Sequence, residues 1–245
     1  MLGDTHRNAL EALRCPCNER MTSDMSKIYH GAPGSVLLSI LEQGIRPRPN
    51  DHPGNWDVET SREGLVYLTD AHPVWSATAP GREYSAVIFE LDLDVIPEDR
   101  RYPDEDYLMA ETQHSGAHRD DPTWSLDPYE QQHLWSDSLE KLGVMAVRGT
   151  VPPAAITRYA TLTWSEAHWN MWHDWYDRKG DRMLGTHAAR REGLQRTITF
   201  FFDDIPRLQA MSEGKLRDAF YWMGREDRAI RKRAMGAVRV TDLRR

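Results

Sequence analysis

The sequence predicts an α+β fold with a largely helical C-terminal extension. Three observations predict it. "YSAVIFELDLDVI" at 84–96 is a strand pattern whose centre, 87–89, is continuously apolar, as in a strand buried on both faces. "PGSVLLSILEQG" at 33–44 is an amphipathic helix that directly follows a short strand. After residue 160 helical spacing and basic residues predominate.

The chain divides into three parts by pattern. Residues 1–26 form a preface with helical spacing and a polar, turn-like end. Residues 27–160 hold most of the strand and helix patterns, with a long acidic stretch at about 97–132 that we expect to be an insertion. Residues 161–245 predict a helical, basic extension, interrupted by the strand pattern "TITFFFDDI" at 197–205.

The central part contains a regular succession of elements. Residues 27–30 predict a strand that runs into the helix at 33–44, and Gly44 ends that helix. The next elements, in chain order, are a Pro- and Gly-rich loop at 46–64, the strand "LVYLT" at 65–69, a turn and short helix within 70–81, the strand at 84–96, the helix "HLWSDSLEKLG" at 133–143 and the strand "VMAVRG" at 144–149.

Composition predicts a globular core and no membrane span. The 245 residues are 40% hydrophobic and include nine Trp. No window approaches ~18 consecutive apolar residues, and no apolar signal-peptide core stands at the start. The two cysteines, Cys15 and Cys17, are too close in sequence for an easy disulfide, and a lone C-P-C has too few ligands for structural zinc. We therefore expect a cytoplasmic protein without a bound metal.

Charge is unevenly distributed along the chain. The whole chain carries −7, whereas residues 206–245 carry eleven Lys and Arg against five acids, a net +6. A basic end on an acidic body can contact phosphate groups, or it can be a solvated helix that pairs with the body. A macromolecular partner, either nucleic acid or protein, therefore stays open.

Four sequence pieces occur in a characteristic order: "YHG" with the helix that ends in "GIRP", "GLVYLTD", "GREYSAVIFELDLD" and "LGVMAVRGTVPPAAI". Together, over about residues 27–160, they resemble the ADP-ribosyltransferase superfamily, most closely the branch that includes RNA 2′-phosphotransferase and NAD-using toxins of phages and bacteria. This resemblance implies an ADP-ribosyltransferase-like split β-sheet core and NAD as a substrate that loses nicotinamide.

The resemblance also implies roles for individual residues. His30 would hydrogen-bond a ribose hydroxyl of NAD, and Gly31 would let the backbone approach the nicotinamide carboxamide. Tyr67 would stack on the nicotinamide ring, Thr69 would support the ribose, and Arg82 would contact a phosphate. The arginines after the first helix, Arg46 and Arg48, are alternative phosphate contacts.

The catalytic acid is where the sequence departs from the resemblance. Many transferases of the superfamily carry a Glu near the strand that corresponds to Val144–Arg148, and this strand contains no acid. The chain could use His and Arg chemistry that needs no Glu, or it could bind NAD without efficient transfer. Another acid could also substitute, and the candidates are Glu140, Asp104, Glu105 and Asp106, although acids at a helix start are also capping signals.

The function expected from these observations is NAD-dependent ADP-ribosyl transfer to a macromolecular acceptor, with His30, Tyr67 and an acid (Glu140 or Glu105) in the catalytic site. One alternative is an RNA 2′-phosphotransferase-like activity that also uses NAD. A second alternative, of a different class, is a non-catalytic module that binds NAD or ADP-ribose.

Overall fold

A computed structural model describes residues 27–47, 62–78, 85–113, 124–163, 194–196, 198–221 and 225–244. Within these ranges seven strands form one antiparallel sheet in the order β4-β5-β2-β1-β3-β6-β7. The strands are β1 (Lys27–Pro33), β2 (Leu65–Thr69), β3 (Ser85–Asp92), β4 (Arg101–Pro103), β5 (Val144–Arg148), β6 (Ile156–Thr163) and β7 (Val238–Asp242).

Helices cover both faces of this sheet. The α-helices are α1 (Leu37–Gln43), α2 (Pro73–Thr78), α3 (Glu105–Gln113), α4 (Trp135–Leu142), α5 (Ile205–Gln209), α6 (Glu213–Tyr221) and α7 (Arg225–Ala237). A 3-10 turn (Gly34–Val36) precedes α1, and a π-helical segment (Phe200–Asp204) precedes α5. Further 3-10 turns lie at Leu93–Val95, Glu98–Arg100, Gln132–Leu134 and Pro153–Ala155.

Two apolar layers form the core, one on each face of the sheet. On one face α1 and α4 pack on alternate residues of the central strands, such as Val87 and Phe89. On the other face α2, the π-helical segment and α5–α7 pack on the intervening residues, such as Ile88. Burial of β3 on both faces confirms the interpretation of its continuously apolar centre.

The sheet consists of two parts that meet at a single pair of residues. β1 pairs with β3 along its whole length, and β2 pairs with β5 along its whole length. β1 and β2 pair only at Tyr29 opposite Thr69, so the two strands separate beyond this point. The parts on either side of the separation are β4-β5-β2 and β1-β3-β6-β7.

Most predicted elements of 27–160 are confirmed. The strands at 27–30, 65–69, 84–96 and 144–149 and the helices at 33–44 and 133–143 are present with shifted ends. Gly44 ends α1 as predicted: its φ is +80°, and a Cβ there would lie 2.2 Å from the carbonyl oxygen of Val151. The acidic stretch predicted as an insertion at 97–132 contributes edge strand β4 and helix α3, so part of it belongs to the sheet.

The predicted strand "TITFFFDDI" is wrong. Residues 200–204 are helical, and Phe200, Phe201 and Phe202 are all buried, at 3%, 0% and 2% exposure. They are enclosed between the sheet and the C-terminal helices. Three successive apolar residues show no alternation of apolar and polar positions, so the run was no evidence for a strand. The extension is also not entirely helical, because β7 returns to the sheet beside β6. The predicted helical preface at 1–26 lies outside the described residues.

Candidate functional site

The separation between β1 and β2 brings His30 against Tyr67. Nδ1 of His30 lies 3.0 Å from the backbone carbonyl oxygen of Tyr67. A carbonyl oxygen only accepts hydrogen bonds, so Nδ1 carries the proton in this contact. His30 therefore connects the two parts of the sheet just beyond the point where β1 and β2 stop pairing.

The hydroxyl group of Tyr67 contacts the carboxylate of Glu105. It donates to Oε1 of Glu105 at 2.5 Å and accepts from the backbone N–H of Arg62 at 2.8 Å. The same N–H donates to Oε1 of Glu105 at 2.9 Å. Oε2 of Glu105 has no hydrogen-bond partner among the described residues, so the contacts in this part of the structure hold only one oxygen of the carboxylate.

Tyr67 remains protonated in this environment. Burial raises the pKa of Tyr67 well above its usual range, and the neighbouring Glu105 charge raises that pKa further. A phenol that resists ionisation is a permanent donor, and a short O–H···O⁻ contact is among the stronger hydrogen bonds in proteins. The Glu105 carboxylate therefore keeps its neutral donor across the physiological pH range.

Register across three strands explains how Glu105 reaches Tyr67. Ala146 on β5 lies opposite both Tyr67 on β2 and Tyr102 on β4. Glu105 follows three residues after Tyr102, at the first position of α3. Ala146 packs with Tyr67 and Tyr102 in one small apolar cluster, so the strand that leads to Glu105 lies beside Tyr67 with only β5 between them.

Asp104 has a structural role at the start of α3. Asp104 is 8% exposed, and its Oδ1 accepts from the backbone N–H of Asp106 at 2.8 Å, as a residue that caps a helix does. Glu140 is exposed on α4, and no described contact joins it to His30 or Tyr67. Of the predicted acids, Glu105 is therefore the one that the structure brings to the predicted site.

Gly31 has a packing reason to be glycine. A Cβ at this position would lie 2.3 Å from the carbonyl oxygen of Pro73 and 2.4 Å from the backbone nitrogen of Ala77. Helix α2 therefore sits directly on β1, and any side chain at Gly31 would displace it. The predicted contact between Gly31 and a nicotinamide carboxamide stays a prediction.

Thr69 ends β2 and shapes the turn that follows. Its hydroxyl donates to the carbonyl oxygen of Gly143 at 2.6 Å and accepts from the backbone N–H groups of Ala71 and His72 at 3.1 and 2.8 Å. Two of these contacts are local and the third ties the turn to the end of α4, so together they account for a hydroxyl at this position. The predicted ribose contact of Thr69 stays untested.

The predicted phosphate contacts are only partly described. Arg46 is exposed just after the bridge between Ile45 and Val151. Arg48 and Arg82 lie outside the described residues.

Sequence reasoning missed two contributors to the site. Arg62 takes part through its backbone N–H, which no side-chain pattern signals. Tyr129 lies in the stretch interpreted as an insertion, and its hydroxyl donates to the carbonyl oxygen of Glu63 at 2.7 Å. A tyrosine between turn residues in "LDPYEQ" was the only available signal for it.

Comparison with known proteins leaves the family open. No family model matches the chain. No curated protein matches it significantly. Among the described helices none is long and apolar enough to cross a membrane, and no group of three or more His, Cys, Asp or Glu within the described ranges could hold a metal ion.

Proposed function

We propose that the chain is an NAD-dependent ADP-ribosyltransferase that transfers ADP-ribose to a macromolecular acceptor. The observation that carries the proposal is the meeting of His30, Tyr67 and Glu105 where β1 separates from β2. The sequence motifs around His30 and Tyr67 support NAD as the substrate by their resemblance to the superfamily. Glu105 supports turnover, since it supplies a carboxylate that β5 lacks.

The reaction requires charge stabilisation more than covalent chemistry. The bond between the anomeric carbon of the ribose and the nicotinamide nitrogen breaks, and the electron pair leaves with nicotinamide. A nucleophilic atom of the acceptor bonds to that carbon and loses its proton to solvent. Positive charge spreads over the ribose ring in the transition state, so a fixed carboxylate beside the ring lowers the barrier.

Each of the three residues fits one part of this task. With the proton on Nδ1, a neutral His30 would offer Nε2 as an acceptor for a ribose hydroxyl. The ring of Tyr67 offers a flat surface for nicotinamide. The Glu105 carboxylate would stabilise the developing positive charge while its Oε1 stays bound to Tyr67. The position of Glu105 also makes this function a better fit than a phosphotransferase that needs no such acid.

The test is nicotinamide release from NAD by the purified chain, with and without cell lysate as a source of acceptor. His30→Ala is expected to abolish release, with His133→Ala, an exposed histidine, as the matched control. Glu105→Gln is expected to lower kcat by about 100-fold or more, as loss of a group that stabilises transition-state charge does. Glu140→Gln, which changes an exposed acid on α4, is expected to keep wild-type activity.

The outcomes separate the candidate functions. Release that needs His30 and Glu105, and that rises with lysate, supports transfer to an acceptor. Removal of an internal 2′-phosphate from RNA would assign the phosphotransferase activity instead. Binding of NAD without release would assign a binding module. Neither binding nor release would overturn the proposal.

A further inference from the structure

The carboxylate of Glu105 is held by donors from two separate elements. The Tyr67 hydroxyl comes from β2, and the Arg62 N–H comes from the turn before β2. That N–H also reaches the Tyr67 hydroxyl, so the three groups form a closed triangle of hydrogen bonds. Two donors, one on β2 and one in the turn before it, therefore fix the position of Oε1.

The turn that carries the Arg62 N–H is itself held in place. Gly64 has a φ of +77°, and its carbonyl oxygen accepts from Gly149 at 2.7 Å. The neighbouring carbonyl oxygen of Glu63 accepts from the Tyr129 hydroxyl at 2.7 Å. The turn is therefore tied on one side to the residues after β5 and on the other to the segment before α4.

Ring contacts hold the Tyr129 side chain in place although it is half-exposed. Its ring meets the ring of Tyr102 edge to face, with centroids 5.2 Å apart. The guanidinium of Arg148 lies 5.6 Å from the centre of the Tyr129 ring. Burial raises the pKa of Tyr129, so its hydroxyl remains a donor to the turn. A single path of contacts thus leads from Tyr129 through the turn to Glu105.

We propose that Tyr67 and Tyr129 are positioning residues for the Glu105 carboxylate: Tyr67 binds it directly, and Tyr129 fixes the turn whose N–H binds it. This inference rests on the proposed function for its kinetic consequences, but the hydrogen bonds themselves exist without substrate. The role of the Tyr67 hydroxyl is separate from any stacking by the Tyr67 ring.

Phenylalanine substitutions test this, because they remove the hydroxyl groups and keep the rings. Loss of a hydrogen bond to a charged group predicts that Tyr67→Phe lowers kcat by about 10- to 150-fold, with KM nearly unchanged. Tyr129→Phe removes a bond between neutral groups and is expected to lower kcat by about 2- to 10-fold. Tyr159→Phe is the matched control, since the Tyr159 hydroxyl makes no hydrogen bond to a described residue.

A double substitution distinguishes positioning from a general structural effect. If Tyr67 acts through Glu105, the variant Tyr67→Phe with Glu105→Gln has the same kcat as Glu105→Gln alone. If the losses of kcat from the two single substitutions instead multiply in the double variant, the proposal is overturned. A wild-type KM in Tyr67→Phe would also show that stacking by the ring is intact.

A second readout needs no activity and so separates this inference from the proposed function. Amide hydrogen exchange in the intact chain follows the Arg62 N–H, which donates to both the Tyr67 hydroxyl and Oε1 of Glu105. Tyr67→Phe removes one acceptor of this N–H and one donor to Glu105, so the Arg62 amide is expected to exchange faster.

The exchange rates decide the inference whether or not NAD is cleaved. Faster exchange of the Arg62 amide in Tyr67→Phe, with a smaller increase in Tyr129→Phe and none in Tyr159→Phe, supports it. The same exchange rate in the wild type and all three variants overturns it. If Tyr67→Phe fails to fold, the comparison of Tyr129→Phe with Tyr159→Phe gives the decision.

Discussion

The buried ion pair between Glu90 on β3 and Arg158 on β6 predicts that replacing Arg158 alone lowers the stability more than replacing both partners. Glu90 is 1% exposed and Arg158 is 9% exposed. Nε of Arg158 donates to Oε1 of Glu90 at 2.8 Å, and Nη2 donates to Oε2, which makes the contact bidentate. Nη1 donates to Asp203 at 2.9 Å, so the pair also ties the π-helical segment to the sheet.

The structure sets the size of the expected effect. Arg158→Met keeps an unbranched side chain near the Phe202 ring but leaves the Glu90 carboxylate buried, with hydroxyl donors from Thr157 at 2.9 Å and Tyr29 at 3.5 Å. An uncompensated buried charge of this kind costs about 3–5 kcal/mol of the free energy of unfolding. Replacing both partners by Met removes both charges and is expected to leave stability within ~1 kcal/mol of the wild type.

Urea unfolding followed by tryptophan fluorescence measures the four proteins of this double-mutant cycle. Arg207→Met is a matched control, because the Arg207 side chain is 63% exposed and its pair with Asp204 lies at the surface. Its expected loss is at most ~0.5 kcal/mol. The reasoning is refuted if Arg158→Met loses no more stability than Arg207→Met, or if the double variant loses the sum of the two single losses.

Two further predictions concern packing and pH. Gly31→Ala is expected to lower the free energy of unfolding in urea by about 1–3 kcal/mol, because its Cβ would meet the backbone of α2. Gly236→Ala on α7, which has open space around it, is the control and is expected to be neutral or stabilising. Equal effects of the two substitutions would contradict the close approach of α2 to Gly31. The pKa of Asp242 is lowered from 3.8 to about 2, first by the Arg244 side chain, so this ion pair is complete above about pH 4 and is lost as the pH falls through about 2. In Arg244→Ala the NMR titration midpoint of this carboxyl group is expected to rise towards 3.8 without reaching it, because the backbone N–H of residue 244 still donates to Asp242. An unchanged midpoint would contradict the side-chain contact.

The fold could be predicted where each element has its own periodic signal. β3 has an apolar centre and α1 has an amphipathic face ended by Gly44, and both are present. Phe200, Phe201 and Phe202 could not be assigned, because a short apolar run is equally consistent with a buried strand and a buried helix. β4 has three residues, too few for a period, and it forms because β5 offers an open edge.

The candidate site was predictable to the extent that it lies in local motifs. His30 and Tyr67 stand in strand motifs that the sequence marks, and they are in contact where β1 and β2 separate. The choice among Glu140, Glu105 and the acids beside Glu105 was not predictable, since it depends on which strand pairs with β5. The Arg62 contribution is a backbone group and has no sequence signal at all.

The acid that contacts Tyr67 comes from a different place in the chain than the resemblance implied. The position of β5 opposite Tyr67 carries only a methyl group, and Tyr102 of β4 lies on its other side. Glu105, at the start of α3, is nevertheless within hydrogen-bond distance of the Tyr67 hydroxyl. β5 supplies no acid to Tyr67, and the short edge strand β4, which leads into α3, brings one.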